Sequence, residues 1–306
     1  MHVFDRAAVR AHRDRAAAGP VAAVEPVLRD AAERLLDRLD DTTRRFTAAL
    51  DVGGRGVVAP MLRARGVELV VSCDLSAAMA ARSGEPSGGL SGGLAVAADE
   101  EWLPFAPASF DLIVASLSLH WVNDLPGCLI QLRRALRPDG LLLASLPALG
   151  TLGELRAALT QAEAEVSGGA SPRVSPFPDL RDCAGLLQRA GFALPVADLD
   201  VVALRYAEPL ALLRDLRAAG EGNAVTLRDR RIPSRALFAQ ALGLLEADAD
   251  GRFGVTLRLA MLTGWAPSES QPQPLRRGSG QVSLATLFAD DDATGAADGP
   301  GTAAPT

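Results

Sequence analysis

The chain has 306 residues, 48% of them hydrophobic, with 31 Lys and Arg against 37 Asp and Glu and a formal net charge of −6. This length can bury one large core, with or without an added lobe, and the excess of acids argues against a general nucleic-acid surface, which needs clustered Lys and Arg. No run of eighteen apolar residues occurs, and the first ten residues carry an acid and lack a hydrophobic segment. The sequence therefore predicts no membrane span and no secretory signal, and we expect a cytoplasmic protein.

The first two segments predict a helical arm and a nucleotide-binding unit. Apolar residues recur at helical spacing over residues 5–39, which predicts a helical arm within residues 1–45. The next segment is an apolar strand that ends in Asp51, followed by a glycine turn and a helix, and a second strand ends in Asp74 about twenty residues later. Glycines let a ligand approach the backbone, and an acid after the second strand can accept both hydroxyls of a ribose. Because many turns contain Gly-x-Gly, the glycine turn alone is weak evidence of nucleotide binding. The acid about twenty residues later, Asp74, is the stronger signal.

Residues 97–146 predict the other half of a parallel sheet. An acidic loop precedes a buried strand from Phe110, and a helix over 125–136 is followed by Arg137-Pro-Asp-Gly and another apolar strand. The turn between the first strand and the helix carries His120 and Asp124. We predict that these two residues are catalytic, although Asp124 is also typical of a helix cap and His120 of a positional residue.

The remaining elements predict a lobe that completes the sheet and covers the site. The predicted domains are the arm (1–45), a core (46–150), a covering lobe (151–285) and a disordered tail (286–306). Within the lobe we predict helices at 152–166, 179–190 and 209–219 and strands at 197–206 and 252–263. A Gly/Ser-rich stretch at 83–93 is predicted to be a flexible loop.

In this order the elements resemble a class I S-adenosylmethionine-dependent methyltransferase. The resemblance implies a Rossmann-like α/β fold, a mostly parallel sheet flanked by helices, and S-adenosylmethionine as cofactor. It implies that the cofactor-binding residues are Asp51, Gly53, Gly54, Gly56, Asp74, Leu75, Asp99, Glu100 and Ser116. The family usually has Asp-x-Gly-x-Gly-x-Gly, whereas the loop here, Asp51-Val-Gly-Gly-Arg-Gly, is one residue shorter.

A narrower resemblance covers nearly the whole chain. Phe4-Asp-Arg, Ser116-Leu-Ser-Leu-His-Trp-Val-Asn-Asp-Leu-Pro, Ser171-Pro-x-Val-Ser-Pro-Phe, Leu187-x-Arg-Ala-Gly-Phe and Gly264-Trp-Ala-Pro-x-Glu-Ser-Gln are similar to the methyltransferase-fold assembly factors of respiratory complex I and their bacterial relatives. That family is associated with hydroxylation of a protein arginine. The resemblance implies a protein substrate, such as a subunit of a quinone oxidoreductase.

Two other functions remain open from the sequence. One is methylation of a small or carrier-bound acid, since the malonyl-carrier-protein methyltransferases of biotin synthesis share the Leu-Pro-Phe, Phe-Asp and His-Trp pattern. The other is a chaperone without turnover, which the shortened glycine loop makes plausible. Binding of S-adenosylmethionine and the nature of the modified group separate the three.

Metal and cysteine chemistry have little support in the sequence. Protein-held iron of the oxygenase type needs two histidines and a carboxylate, and the chain has only His2, His12 and His120. We therefore predict no metal site. The three cysteines are widely spaced and are expected to be reduced core residues. Candidate carboxylates for a substrate guanidinium are Glu100, Glu101, Asp124, Glu154 and Glu269.

Overall fold

A computed structural model of the chain describes residues 2–83 and 93–272, together with Ser279. Most of the predicted Gly/Ser-rich loop and the whole predicted tail lie outside these residues. Two compact units are distinguished, Met1–Glu269 and Ser270–Thr306. The first contains all the strands and helices given below, and the predicted division at residues 45, 150 and 285 stays a prediction.

A seven-stranded sheet forms the centre of the first unit. Its strands are β1 (Ala48–Val52), β2 (Leu69–Asp74), β3 (Leu94–Ala97), β4 (Phe110–Ser116), β5 (Leu136–Pro147), β6 (Ala193–Tyr206) and β7 (Phe253–Trp265). They lie in the order β3-β2-β1-β4-β5-β7-β6. Strands β1 to β5 pair in parallel, whereas β7 is antiparallel to both β5 and β6. The prediction of a mostly parallel α/β fold is therefore confirmed.

Helices lie before, between and after these strands. They are α1 (Arg6–Ala17), α2 (Glu25–Leu36), α3 (Val58–Ala64), α4 (Ala77–Ser83), α5 (Leu125–Ala135), α6 (Gly153–Ser167), α7 (Leu180–Arg189), α8 (Pro209–Ala218) and α9 (Arg235–Gly243). Short 3-10 helices span Pro20–Val24, Asp37–Leu39 and Leu119–Trp121. Among the described residues, none of the helices has both the length and the apolar character needed to cross a membrane.

The central strands are apolar on both faces because helices cover both. Every residue of β1 and β4 is buried. Ala49 packs into the apolar cluster that includes α2 and α3, while Leu50 and Val52 pack into the cluster on the other face, which includes α5 and α7. Burial on both faces explains why these strands are short continuous apolar runs rather than alternating ones.

The strand order reverses at β1, which has β2 on one side and β4 on the other. In open α/β sheets, ligands bind outside the carboxyl ends of the strands at such a point. Asp51, Asp74 and Ser116 lie at the carboxyl ends of β1, β2 and β4. The topology thus brings three of the predicted cofactor residues to one edge.

The structure differs from the predicted elements at two places. The sequence predicts a break at Arg137-Pro-Asp-Gly before the next strand, but β5 already begins at Leu136. The register shifts between the pairs Phe110–Leu136 and Leu112–Leu141, and Asp139 has a φ of +62°, so the segment between them bulges out of the ladder. Helix α9 was missed, because its apolar face is short and follows a polar loop; Ser234 caps its first turn by accepting a hydrogen bond from the Leu237 N–H at 3.1 Å.

Candidate active site

The shortened glycine loop folds back tightly onto the end of β1. A Cβ atom on Gly54 would lie 2.1 Å from Oδ1 of Asp51, and one on Gly53 would lie 2.6 Å from Cβ of Ser118. Gly53 and Gly56 also have φ values of +66° and +85°. Glycine is therefore required here by contact as well as by backbone conformation.

Asp51 lies beneath this loop and is fully buried. Burial raises the pKa of its carboxyl to about 7, although hydrogen bonds from Ser72 and from the backbone of Gly54 act in the opposite direction. The Ser72 hydroxyl donates to Oδ2 of Asp51 at 3.2 Å. A carboxyl in this state can donate or accept a hydrogen bond near neutral pH.

Asp74 and Glu100 are brought together by a residue of α1. Nη1 of Arg13 lies 3.2 Å from Oδ2 of Asp74 and 2.7 Å from Oε1 of Glu100, and all three side chains are at least 97% buried. Burial raises the pKa of Asp74. The pKa of Glu100 is lowered, because attraction to Arg13 and Arg6 exceeds the effect of burial.

Arg13 also lies against the glycine loop. Its Nη1 atom would be 3.6 Å from a Cβ on Gly53, and its Nη2 donates to the Ser118 carbonyl at 3.3 Å. One guanidinium thus contacts two of the carboxylates, Asp74 and Glu100, that the resemblance assigns to cofactor binding. In this arrangement the arm occupies part of the predicted cofactor site.

Asp99 and Leu75 lie beside this cluster. Asp99 accepts a hydrogen bond from Nη2 of Arg6 at 2.6 Å, and Arg6 also pairs with Glu100. Leu75 is buried and, with Ala97 and Ala98, lines a small cavity of about 250 Å³ that α1 borders through Arg10 and Asp14.

A second cluster forms around Glu221, a short distance along the same edge. Its Oε2 atom lies 2.7 Å from Nε2 of His120 and accepts a hydrogen bond from Nε1 of Trp121 at 2.8 Å, while Oε1 accepts one from Arg55. Burial alone would raise the pKa of Glu221, but the pKa is strongly lowered by His120 and Arg55. Glu221 is therefore a carboxylate at neutral pH.

Hydrogen bonding to that carboxylate fixes the orientation of His120. A carboxylate only accepts hydrogen bonds, so the proton of a neutral His120 ring lies on Nε2. Nδ1 of His120 has no hydrogen-bond partner among the described residues, and the side chain is 2% exposed. An unpaired ring nitrogen at this place can accept a proton.

The predicted catalytic residue Asp124 lies elsewhere. It is exposed and is the N-cap of α5, with Oδ1 accepting a hydrogen bond from the Gly127 N–H at 2.9 Å. Neighbouring Asn123 accepts from the Phe4 N–H and donates to the Phe4 carbonyl, so this turn anchors the start of the chain. Ser116 is buried at the end of β4.

The other candidate carboxylates lie outside the buried clusters or at their border. Glu154 accepts a hydrogen bond from the Thr256 hydroxyl at 2.6 Å, and Glu269 is exposed. Glu101 accepts one from the Asn123 N–H at 2.7 Å, and its Oε1 atom lies 3.7 Å from Nε of Arg6. Of the five acids, only Glu100 pairs with Arg13.

Sequence reasoning missed Arg6, Arg13, Arg55 and the role of Glu221. Arg6 belongs to the quoted Phe4-Asp-Arg motif and therefore had a signal, whereas Glu221 lies in none of the quoted motifs. Arg13 is one of several arginines in the arm and has no distinguishing pattern. Its role follows only from the packing of α1 over the strand ends.

A large cavity opens beside the second cluster. Its volume is about 750 Å³, and its lining includes Arg55, His120 and Glu221 as well as side chains of α6, α8 and α9. It is therefore continuous with the edge of the sheet that carries the cofactor residues.

The described residues contain neither a group of metal ligands nor an exposed thiol. Among residues 2–83 and 93–272, no three His, Cys, Asp or Glu side chains are grouped so that they could hold a metal ion. Cys73, Cys128 and Cys183 are buried and free, and burial raises the pKa of each thiol.

Comparison with known families identifies the core. A family described as "Methyltransferase domain" matches residues 50–144, which run from β1 into β5. The match contains the glycine loop, Asp74, Glu100 and His120. It agrees with the class I methyltransferase resemblance and with S-adenosylmethionine as the cofactor of this family.

Whole-chain similarity extends well beyond the core. The chain is 37% identical to "Arginine-hydroxylase NDUFAF5, mitochondrial" of Danio rerio, over 94% of this chain and 90% of that protein. It is 36% identical to the Homo sapiens protein of the same name, over 94% and 84%. A "Malonyl-[acyl-carrier protein] O-methyltransferase" of Methylovorus sp. (strain MP688) is 36% identical over 87% of this chain and 90% of that protein.

Solved structures show the same fold at much lower identity. The YcgJ protein of Bacillus subtilis matches with a TM-score of 0.54 at 13% identity, covering 76% of this chain and 98% of that one. A putative methyltransferase of Bacillus halodurans C-125 matches with a TM-score of 0.50 at 16% identity, over 76% and 99%.

Proposed function

Because this chain belongs to the methyltransferase-fold family that includes the NDUFAF5 arginine-hydroxylases and the malonyl-carrier-protein O-methyltransferases, we propose that it is an enzyme that binds S-adenosylmethionine at the carboxyl ends of β1 and β2. The observation that carries the proposal is the group of buried acids, Asp51, Asp74 and Glu100, beside a loop in which Gly53 and Gly54 have no room for a Cβ atom. Burial of carboxylates is costly even when they are paired, so three of them at the ends of neighbouring strands favour a binding role.

The residues present fit this cofactor. Asp74 would accept the ribose hydroxyls, the loop Gly53–Gly56 would face the methionine part, and Leu75 and Ala97 would cover the adenine in the smaller cavity. The bound cofactor would supply a methyl group activated by a sulfonium. Since Arg13 pairs with Asp74 and Glu100, the cofactor must displace this guanidinium.

His120 is the residue we propose as proton acceptor. Glu221 holds its Nε2 atom, which leaves Nδ1 to take a proton from an attacking group in the large cavity. Much of the rate gain in such a transfer comes from placing the reacting groups in line. Asp124 we assign to capping α5.

We propose a protein arginine on a quinone-oxidoreductase subunit as the substrate group. The similarity to the arginine-hydroxylases over 94% of the chain supports this substrate, and Glu221 provides a carboxylate beside the cavity. Hydroxylation would add an oxygen atom and needs an oxidant, whereas methylation adds a methyl group. The mass added to the substrate therefore distinguishes the two reactions.

The cytoplasmic location stays a prediction.

A carrier-bound carboxylate is the second candidate substrate. The observation that favours it is the excess of arginine over acid around the large cavity, which would attract a carboxylate and repel a guanidinium. Incubation with quinone-oxidoreductase subunits and with malonyl carrier protein, followed by mass spectrometry, distinguishes the two.

Calorimetric titration with S-adenosylmethionine tests the cofactor proposal. We expect micromolar binding to the intact chain, loss of binding in Asp74→Asn and no change in Asp41→Asn, which alters an exposed acid. Absence of binding to the folded wild-type protein would overturn the enzyme proposal and leave a chaperone without turnover.

His120→Gln and Glu221→Gln test the proton-acceptor role. Once a methyl acceptor is identified, both variants should lower kcat more than they raise KM. An unchanged kcat in His120→Gln would remove His120 from the reaction.

A further inference from the structure

The large cavity contains more apolar wall than a polar reacting group requires. It measures about 750 Å³ and is lined by Leu155, Leu159, Phe177, Leu212 and Phe238, among others. These side chains belong to the apolar cluster of the covering lobe, in which Phe177, Tyr206 and Phe238 are only partly buried. The volume lies in the range of small-molecule pockets, whereas an unfilled apolar space of this size would cost stability.

Charge around the cavity is positive, although the chain is acidic. Among its described lining residues are six arginines and three acids, Asp215, Glu221 and Asp229. Four of the arginines have ion-pair partners, for example Arg173 with Glu163 at 2.5 Å and Arg228 with Asp5 at 2.9 Å.

Two arginines remain without a partner within the described part of the chain. Arg15 on α1 and Arg217 on α8 make no ion pair or side-chain hydrogen bond with described residues, and both are exposed while lining the cavity. They therefore lie where the cavity meets solvent. Their charges are available to an anion there.

The inner end of the cavity offers unpaired polar atoms. Nε of Arg55 and Nδ1 of His120 have no hydrogen-bond partner among the described residues, and each side chain is 2% exposed. These two residues make the inner end of the cavity polar, in contrast to its apolar walls.

We propose that this cavity binds an amphipathic organic anion, whose anionic head is held by Arg15 and Arg217 and whose hydrocarbon chain lies between α6, α8 and α9. The chain ends short of the polar inner end that Arg55 and His120 form. The inference goes beyond the proposed function, because it concerns a small-molecule ligand and holds whichever group the enzyme modifies. Apolar walls give such a ligand most of its affinity, and the arginines select its charge.

Three probes of matched chemistry test the class of ligand. Decanoate, decyltrimethylammonium and acetate are titrated calorimetrically into the full chain, below micelle-forming concentrations. We expect decanoate to bind about tenfold more tightly than the cation of equal chain length, and acetate to show no binding. Equal binding of the two long-chain probes, or no binding of decanoate, would overturn the proposal.

Variants locate the head and the chain. The double substitution Arg15→Gln and Arg217→Gln should weaken decanoate about tenfold and leave decyltrimethylammonium no weaker, whereas Arg214→Gln, an exposed change on the same helix, should have no effect. Leu213→Trp, which fills the cavity, should abolish binding of both long-chain probes. Unchanged decanoate binding in the double variant would refute the assigned head site.

The same samples separate this inference from the proposed function. S-adenosylmethionine binding without decanoate binding overturns only the cavity ligand. Decanoate binding without S-adenosylmethionine binding overturns only the enzyme proposal.

Discussion

Asp51 shows how the position of one residue changes its chemistry. In sequence it is the acid at the end of an apolar strand, and in the structure it is fully enclosed beneath the glycine loop. The loop is one residue shorter than the usual pattern, and Gly54 lies so close to the carboxyl that a Cβ atom on it would be 2.1 Å from Oδ1 of Asp51. This explains why burial, rather than a charged neighbour, dominates its pKa.

The raised pKa of Asp51 predicts a pH-dependent contribution to stability. Its pKa is about 7 in the folded chain against 3.8 as the reference value, so between these values the unfolded chain binds fewer protons. The contribution of the carboxyl to the free energy of unfolding should therefore fall as pH rises from about 4 to 7 and level off above, by on the order of 4 kcal/mol in total. Denaturant unfolding of wild type and Asp51→Asn across this range measures it.

Asp41→Asn is the matched control for this measurement. Asp41 is exposed, so its substitution should leave the pH dependence unchanged. A constant free-energy difference between wild type and Asp51→Asn from pH 4 to 7 would contradict a buried, protonated Asp51.

At the scale of elements, helix α1 links the two sites. Arg13 pairs with the cofactor carboxylates, while His12 and Arg15 of the same helix line the large cavity. Phe4, just before the helix, packs edge-on against Trp121 at a centroid distance of 5.3 Å. A movement of α1 that frees Asp74 would therefore also alter the cavity lining.

Arg13→Met tests competition between this helix and the cofactor. Loss of the guanidinium leaves the buried Asp74 without its ion-pair partner and Glu100 paired with Arg6 alone, so the ligand-free protein should lose about 3–5 kcal/mol of stability. The gain in Tm on adding S-adenosylhomocysteine should exceed that of wild type, because the ligand no longer displaces an ion pair. Thermal scans with and without ligand measure both.

Arg29→Ala serves as the control for the arm. It removes an exposed ion pair with Glu25 on α2 and should change the free energy of unfolding by no more than about 0.5 kcal/mol. The ligand-induced gain in Tm should equal that of wild type. A smaller ligand-induced gain in Arg13→Met than in wild type would show that Arg13 supports the cofactor instead of competing with it.

At the scale of the whole molecule, the sheet and its helices enclose all three cysteines. Cys73 lies on β2, Cys128 on α5 and Cys183 on α7, and each is at most 1% exposed. Their thiols have raised pKa values because of burial. Thiolates form and react slowly in such surroundings.

Thiol labelling should therefore report global unfolding. With a thiol reagent at pH 8, the native chain should show almost no reaction, and all three thiols should react once denaturant unfolds the sheet. Rapid labelling of one thiol without denaturant would indicate local opening of the element that carries it.

Local patterns in the sequence were sufficient for the fold and for half of the site. Short apolar runs, the glycine turn and the acids after β1 and β2 predicted the parallel sheet and the positions of Asp51 and Asp74, because in a parallel α/β sheet the carboxyl ends of strands share an edge. The prediction was weakest where a pattern was short or interrupted, as at α9 and at the bulge after Leu136.

By itself, then, the sequence determined the family, the mostly parallel sheet and the residues on its carboxyl edge. Only the tertiary structure decided the order of the strands, that Arg13 lies between Asp74 and Glu100, that Glu221 orients His120, and that the covering lobe encloses an apolar cavity. The pairs Arg13–Glu100 and His120–Glu221 join residues that are 87 and 101 positions apart. Periodicity and motif spacing report local structure, whereas such pairings depend on how whole elements pack.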